Sequence, residues 1–142
     1  MTVPVFYTAT MTAEIQLKQH YHERISAVLR YIHGHIDQPL DRERLAQVAG
    51  FSIPHLHRVF VAHTGESVAS YVRRVRLERA GRKLRMGAVD ITEVALAAEY
   101  ASHAAFGKAF KQYFGLSPSE FRQLSCNEAT QLLVEKRKCC ED

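Results

Sequence analysis

LAQVAGFSIPHLHRVFVAHTG at residues 45–65 and VALAAEYASHAAFGKAFKQYFG at residues 94–115 are two degenerate copies of one pattern. Each copy carries, in order, an alanine, an aromatic residue, a serine, a large apolar residue, a cation, a phenylalanine and a glycine. The offset is 49 residues at the alanines and 50 at the phenylalanines, so the second copy has one extra residue in its turn. The pattern is typical of a helix, a tight turn and a second helix that can enter a DNA major groove. Two copies predict one molecule that reads two successive groove segments.

The composition fits one small domain, or two very small ones that share a helix. Of the 142 residues 46% are hydrophobic, yet no stretch approaches the ~20 apolar residues that a membrane span needs. The net charge is only +4, but residues 73–85 contain seven cations against the single acid Glu78. Such a surface suits a polyanion, although charge runs are also common on solvated helix faces. Because no leader-like segment is visible, we expect a cytoplasmic protein without membrane contact.

The sequence predicts no metal site, no cofactor and no catalytic residue. The cysteines lie near the C-terminus without Cys-x-x-Cys spacing, and their odd number argues against a disulfide framework. Two histidine pairs are each two residues apart, so on a helix their side chains point in roughly opposite directions. These residues are Cys126, Cys139 and Cys140, and the pairs His33–His35 and His55–His57.

Helical periodicity and helix caps recur along the chain, and no strand pattern appears in it. We predict an all-α protein of about seven helices, in which a long central helix joins two helix-turn-helix subdomains. The expected N-caps are Asp41, Ser52, Thr92 and Ser102. The expected segments are a flexible arm (1–19), a first subdomain (20–66), a linker helix (67–87), a second subdomain (88–124) and a tail with helical character (125–142).

From about Tyr21 to Leu124 the chain resembles the DNA-binding domain of AraC/XylS-type transcriptional regulators. The shared motifs continue beyond the first copy with YVRRVRLERA at 71–80, ITEVALAAEYA at 91–101 and AFGKAFKQYFGLSPSEFR at 105–122. The closing FGLSPSEFR is especially specific. The resemblance implies two recognition helices on one face, one DNA turn or about 34 Å apart, in a bacterial protein associated with the nucleoid.

The outward positions of the two second helices are the candidate base contacts. They are Pro54, His55, His57 and Arg58 in the first copy and His103, Ala104, Gly107 and Lys108 in the second. The resemblance implies a base-reading arginine at Arg58, whose fork can bond both acceptors of guanine. Lys108 lacks that fork, so we expect the second helix to bind mainly phosphates.

The candidate phosphate contacts lie at helix starts and on the basic run. They are Ser52, Arg73, Arg74, Thr92, Ser102 and Lys111. Backbone N–H groups at helix starts suit an anion. For Arg73 and Arg74 a solvated helix face is an equal alternative, and for Arg76 we expect a structural ion pair.

The second turn departs from the family pattern. Gly-Phe is usual there, and this chain has Glu99-Tyr100, whereas the first turn keeps Gly50-Phe51. Tyr100 can fill the aromatic site. Glu99 implies a strained or altered turn and places a negative charge near DNA, so we expect the second unit to bind more weakly or differently.

We therefore expect a sequence-specific transcription regulator, an activator that also contacts RNA polymerase. A monomer on DNA fits two reading helices in one chain, and a dimer stays open. Two other classes stay open: an adaptor or anti-activator that has lost part of its DNA reading, and a cysteine-based DNA alkyl-transfer enzyme. The sequence is most similar to members with a gyrase-inhibitor-type effector domain. The eighteen residues after Leu124 cannot hold such a domain, so we expect a stand-alone regulator or a truncated relative.

Overall fold

The computed structural model describes residues 5–86, 90–124 and 126–141, with side chains between residues 13 and 136 except those of 14 and 126. The described chain is helical and contains no strand, which confirms the all-α prediction. Its helices are α1 (Val5–Gly34), α2 (Arg42–Ala49), α3 (Ile53–Thr64), α4 (Val68–Arg85), α5 (Ile91–Ala97), α6 (His103–Phe114), α7 (Pro118–Arg122) and α8 (Cys126–Glu141). None of the helices searched in this part of the chain is long and apolar enough to cross a membrane.

The first of two compact units consists of Met1–His35 and Leu40–Ser70, which carry α1, α2 and α3. Each helix contributes residues at three- and four-residue spacing, so each presents one apolar stripe to the core. The buried residues are Ile25, Val28, Ile32, Leu45, Ala46, Ala49, Leu56, Val59 and Phe60. The small Ala46 and Ala49 let α2 lie close to its neighbours.

The second unit consists of Ile36–Pro39 and Tyr71–Asp142, which carry most of α4 and all of α5 to α8. Its core is built on four phenylalanines, Phe106, Phe110, Phe114 and Phe121, with Leu77, Leu84 and Ala129. Gly81 of α4 allows close packing there. A methyl group at this glycine would lie 3.3 Å from both Phe114 Cζ and Leu133 Cδ2.

The first helix is longer than we predicted, because it begins at Val5 and includes most of the expected flexible arm. The described side chains at Ala13 and at 15–20 are all exposed, so no core contact explains the helix there. Glutamate, glutamine, leucine and lysine are good helix formers, and they continue the helix by local propensity. The periodicity of buried residues starts only near Tyr21 and therefore did not reveal this segment.

Three of the four expected N-caps are confirmed, and the fourth is wrong. Asp41, Ser52 and Ser102 each accept a backbone hydrogen bond at a helix start. At α5 the cap is Asp90, whose carboxylate accepts from Thr92 N–H at 3.1 Å. Both residue types cap helices, and Asp90 directly precedes the first helical residue. Gly87, expected to end the central helix, and the side chains of the three cysteines lie outside the described residues.

Candidate nucleic-acid interface

The turn between α2 and α3 and the turn between α5 and α6 share two backbone features, although the second turn has the extra residue Ala101 before its N-cap. In each, the N–H of the aromatic residue (Phe51 or Tyr100) donates to the carbonyl five residues earlier, at 3.0 Å and 3.1 Å. The residue before the aromatic has a left-handed backbone in both turns, with φ 72° at Gly50 and φ 65° at Glu99. The repeat seen in the sequence is therefore a repeat of structure.

Glu99 adopts a backbone conformation that favours glycine. Among the described non-glycine residues it alone has a positive φ. A left-handed backbone costs an L-residue roughly 1–2 kcal/mol, because Cβ approaches the following carbonyl oxygen. The turn is thus strained, as expected from the sequence, and it keeps the geometry of the first turn. The Glu99 side chain is exposed.

Arg24 of α1 braces the first turn, and the sequence analysis did not identify it. Its Nη1 donates to the carbonyl of Ala49 at 2.7 Å, and its guanidinium lies 5.5 Å from the centre of the Phe51 ring. Its Nε donates to Nε2 of His20 at 2.8 Å. A Cβ at Gly50 would collide with Nη1, so a larger residue would force the Arg24 guanidinium to move, and the left-handed backbone angle itself favours glycine there. The partner carbonyl lies 25 residues away and leaves no sequence signal.

The exposed face of α3 combines a few polar groups with an apolar surface. Pro54, His57 and Arg58 are exposed, as expected for base contacts. Val61, another outward position of the sequence pattern, is also exposed, at 37%, and so is Ile53, at 38%, which we did not propose as a contact. Ile53 was detectable from its position one turn before His57.

His55 fits the role of a base contact poorly. Its ring centre lies 4.4 Å from that of Phe51 and 5.8 Å from that of Tyr21 on α1, and the side chain is half-buried. The histidine therefore packs at the back of the turn. Position within the helix could not distinguish this orientation, because Tyr21 comes from a distant segment.

The exposed face of α6 carries fewer groups that can read bases. His103, Ala104, Lys108 and Lys111 are exposed, and Gly107 is half-exposed with no neighbouring atom where a Cβ would lie. Gln112 is exposed one turn after Lys108, and we did not propose it. Its amide can bond adenine in a major groove, and its spacing from Lys108 was the available signal.

Three cations of α4 bind a short segment of their own unit. Arg76 donates to two backbone carbonyls within residues 36–39, at 2.8 and 3.2 Å. Arg79 and Lys83 lie 3.1 and 4.0 Å from the Asp37 carboxylate. The structural role expected for Arg76 is present, although its partners are carbonyls and not an acid.

The two arginines expected to share a phosphate role have different environments. Arg74 lies 3.4 Å from the carboxylate of Glu78, which is 5% exposed and also accepts from the Tyr113 hydroxyl at 3.0 Å. The Arg74 guanidinium also lies 5.0 Å from the centre of the Tyr71 ring. Arg73 is exposed, and no hydrogen bond to it is found within the described residues. Arg73 is therefore the better phosphate contact of the two.

The helix starts also differ in what they can offer to a phosphate. Ser52 and Ser102 are exposed caps, which keeps the N–H groups of α3 and α6 near solvent. The backbone N–H of Thr92 is not available to a phosphate, because it already donates to the Asp90 carboxylate.

Tyr100 fills the aromatic site of the second turn. Its ring packs edge-on against Phe106, with centres 5.6 Å apart. Burial raises the pKa of Tyr100 above its ordinary value, and the nearby charges of Arg73 and Arg76 partly oppose this rise. The phenol is therefore neutral at physiological pH and serves as a packing group.

Two turns with the same hydrogen bond and the same left-handed residue, each followed by a helix with an exposed cation, define a helix-turn-helix DNA-binding protein. The model of the helix-turn-helix domain family matches residues 45–124. The chain is 33% identical to the transcriptional activator AarP of Providencia stuartii over 113 residues, which cover 80% of this chain and 84% of AarP. It is 37% identical over 101 residues to the transcriptional regulator Rob of Salmonella typhimurium, 71% of this chain and 35% of Rob. The chain thus spans about a third of Rob.

Solved structures share the same fold. The DNA-binding domain of the global transcriptional factor AdpA, solved in complex with a target DNA, superposes with a TM-score of 0.65 at 26% identity, over 69% of this chain and 88% of that one. The chain belongs to the AraC/XylS family and has its DNA-binding domain. Members of this family are transcriptional regulators and not enzymes.

Proposed function

We propose that this protein is a sequence-specific transcription regulator whose recognition helices α3 and α6 enter successive major-groove segments. The observation that carries the proposal is the repeated turn, which precedes an exposed cation at the same position of each helix, Arg58 and Lys108. The DNA complex of the AdpA domain supports it, because that domain shares the fold at 26% identity.

In this proposal α3 supplies most of the sequence specificity. The Arg58 fork bonds O6 and N7 of one guanine, a contact that discriminates by about 1–3 kcal/mol. The exposed apolar groups of Ile53, Pro54 and Val61 suit thymine methyl groups. The expected half-site is therefore a guanine flanked by thymines, and His57 adds a polar contact to a base or a phosphate.

The helix α6 then acts mainly as a phosphate-binding half. Lys108 and Lys111 are exposed point charges, and the alanine and glycine between the polar positions leave few base contacts. His103 and Gln112 lie at the two ends of this face and offer a hydrogen bond to a base or a phosphate. The remaining phosphate contacts are Arg73 and the helix starts at Ser52 and Ser102.

We further propose that the protein activates transcription and contacts RNA polymerase. AarP, which this chain covers over 84% of its length, is named a transcriptional activator. The two reading helices in one chain support binding as a monomer. An adaptor or anti-activator is the second candidate, and the strained Glu99 turn with its sparse α6 face is the observation that favours it.

The proposal is tested by selecting binding sites from random double-stranded DNA with the purified chain at two salt concentrations. We expect two short motifs about 10 base pairs apart, of which the motif containing guanine and thymine is the sharper. One motif alone would mean that α6 reads no bases. No enrichment at either salt concentration would contradict the proposal and favour the adaptor. Sedimentation of the complex on the selected site gives the number of chains bound.

A further inference from the structure

We propose that His22 of α1 and His63 of α3 form a binding site for a divalent transition-metal ion of the nitrogen-preferring kind, such as Zn²⁺, Ni²⁺ or Cu²⁺. The two residues are 41 positions apart in the sequence. No local sequence spacing indicates this pair, because the two histidines come together only when α1 packs near α3.

The two imidazoles lie close together on the surface of the first unit. Their ring centres are 6.5 Å apart, and their planes are inclined by 33°. A zinc–nitrogen bond is about 2.0–2.1 Å long, so two rings that share one ion lie at a comparable or slightly smaller separation. Both side chains are exposed, so a small rotation of either can close the difference.

The hydrogen bond of His63 prepares it as a ligand. Its Nδ1 lies 3.1 Å from the carbonyl oxygen of Val59, one turn earlier on α3. A carbonyl accepts and does not donate, so the proton of a neutral His63 lies on Nδ1 and the lone pair lies on Nε2. Metal-binding histidines use this arrangement, in which the second nitrogen donates to a carbonyl and fixes the ring.

The chemistry of the pair limits which ions it can hold. Imidazole nitrogen suits zinc, nickel and copper, with the highest affinity for copper, and does not suit calcium or magnesium. No group of three candidate ligand residues exists within the described part of the chain, so water completes the coordination. The bound ion therefore joins the last turn of α3 to α1 without serving as an obligatory structural centre.

The test uses the chain without a histidine tag and with its DNA omitted. Calorimetric titration with Zn²⁺ is compared for the parent, His22→Ala and His63→Ala, with His33→Ala as the control. His33 is an exposed histidine on α1 outside the pair, so this variant removes one imidazole and keeps the site. We expect one ion per chain, unchanged affinity in the control, and affinity about a hundredfold lower in each pair variant, since the second ligand binds intramolecularly.

Paramagnetic broadening identifies the ligands independently. Substoichiometric Cu²⁺ is expected to broaden the ring proton signals of His22 and His63 before those of other histidines. Zn²⁺ should slow amide hydrogen exchange in the last turn of α3 in the parent and the control, but not in His22→Ala. The proposal is overturned if His22→Ala or His63→Ala binds like the parent, or if the parent binds no tighter than a variant that carries both substitutions. Neither result bears on DNA binding.

Discussion

Glu99 and Gly50 show at the scale of single residues that one backbone turn can be made from different side chains. The two turns keep the same hydrogen bond although one contains a glycine and the other an L-residue with φ 65°. The packing of Tyr100 on Phe106 and the caps on either side hold the second turn in this conformation. Core contacts thus outweigh a local preference of about 1–2 kcal/mol.

Replacing Glu99 by glycine should relieve this strain. We expect the free energy of unfolding of the second unit to rise by up to about 1 kcal/mol, because the greater entropy of an unfolded glycine offsets part of the gain. Glu99→Gln is the matched control, since it removes the charge and keeps the strain. Urea unfolding measures stability, and DNA titration should show equal or tighter binding for both variants. A loss of stability in Glu99→Gly would show that the glutamate makes a contact of its own.

Arg58 and Lys108 occupy equivalent positions but should behave differently when truncated. Arg58→Ala is expected to lower the preference for one base pair by about 1–3 kcal/mol, with a smaller effect on non-specific DNA. Lys108→Ala should weaken binding to all sequences alike, because a lysine that binds phosphate carries no sequence information. Competition titrations with single-base variants of the selected site measure both effects. If Arg58→Ala weakens all sites equally, Arg58 is a phosphate contact.

At the scale of helices, α1 is tied to the turn between α2 and α3. The Arg24 side chain donates to the last carbonyl of α2 and lies over the aromatic ring of the turn. These contacts come from a helix that is not part of the helix-turn-helix motif itself.

Gly50 and Gly65 both have left-handed backbones, so a comparison of their alanine variants separates the cost of a steric contact from the cost of backbone strain. Gly65→Ala should cost only the strain of φ 82°, about 1–2 kcal/mol, because nothing lies within 4 Å of its added methyl group. Gly50→Ala should cost more than this, because its methyl group displaces Arg24 from the carbonyl of Ala49. Chemical unfolding of both variants gives the difference. Equal losses would mean that Arg24 moves away without penalty.

We expect the arginines of α4 to differ in how much they contribute to DNA binding, according to whether they already have a partner within the protein. Arg73→Ala is expected to lower the slope of log affinity against log salt by about 0.9, the value for one lost phosphate contact. Arg79→Ala should leave that slope unchanged, because Arg79 pairs with Asp37 inside its own unit. Its effect on stability should also be small, since both partners are about half exposed. A change of slope in Arg79→Ala alone would reverse our assignment.

For the whole molecule, the sequence predicted most of what depends on local patterns, although the cap of α5 is Asp90 and not Thr92. The repeated motif, the caps at Asp41 and Ser52 and the apolar stripes predicted the helices, and the Glu99 substitution predicted the strained turn. Contacts between distant segments were missed, as with Arg24 on Ala49, or misassigned, as with His55. The predicted outward face of α6 omitted Gln112. The helix before Tyr21 was not predicted, because no pattern of buried residues indicates it.

The partners of the α4 cations have a consequence for how this protein searches a genome. Four of the seven cations of residues 73–85 pair with groups of their own unit, namely the carbonyls of residues 36–39 and the carboxylates of Asp37 and Glu78. General attraction to DNA scales with the number of phosphates neutralised, so these four cations should add little to the binding of random sequence. Occupancy of a promoter then depends on the base contacts of α3 and on the phosphate contacts of α6 and Arg73, and less on the overall charge.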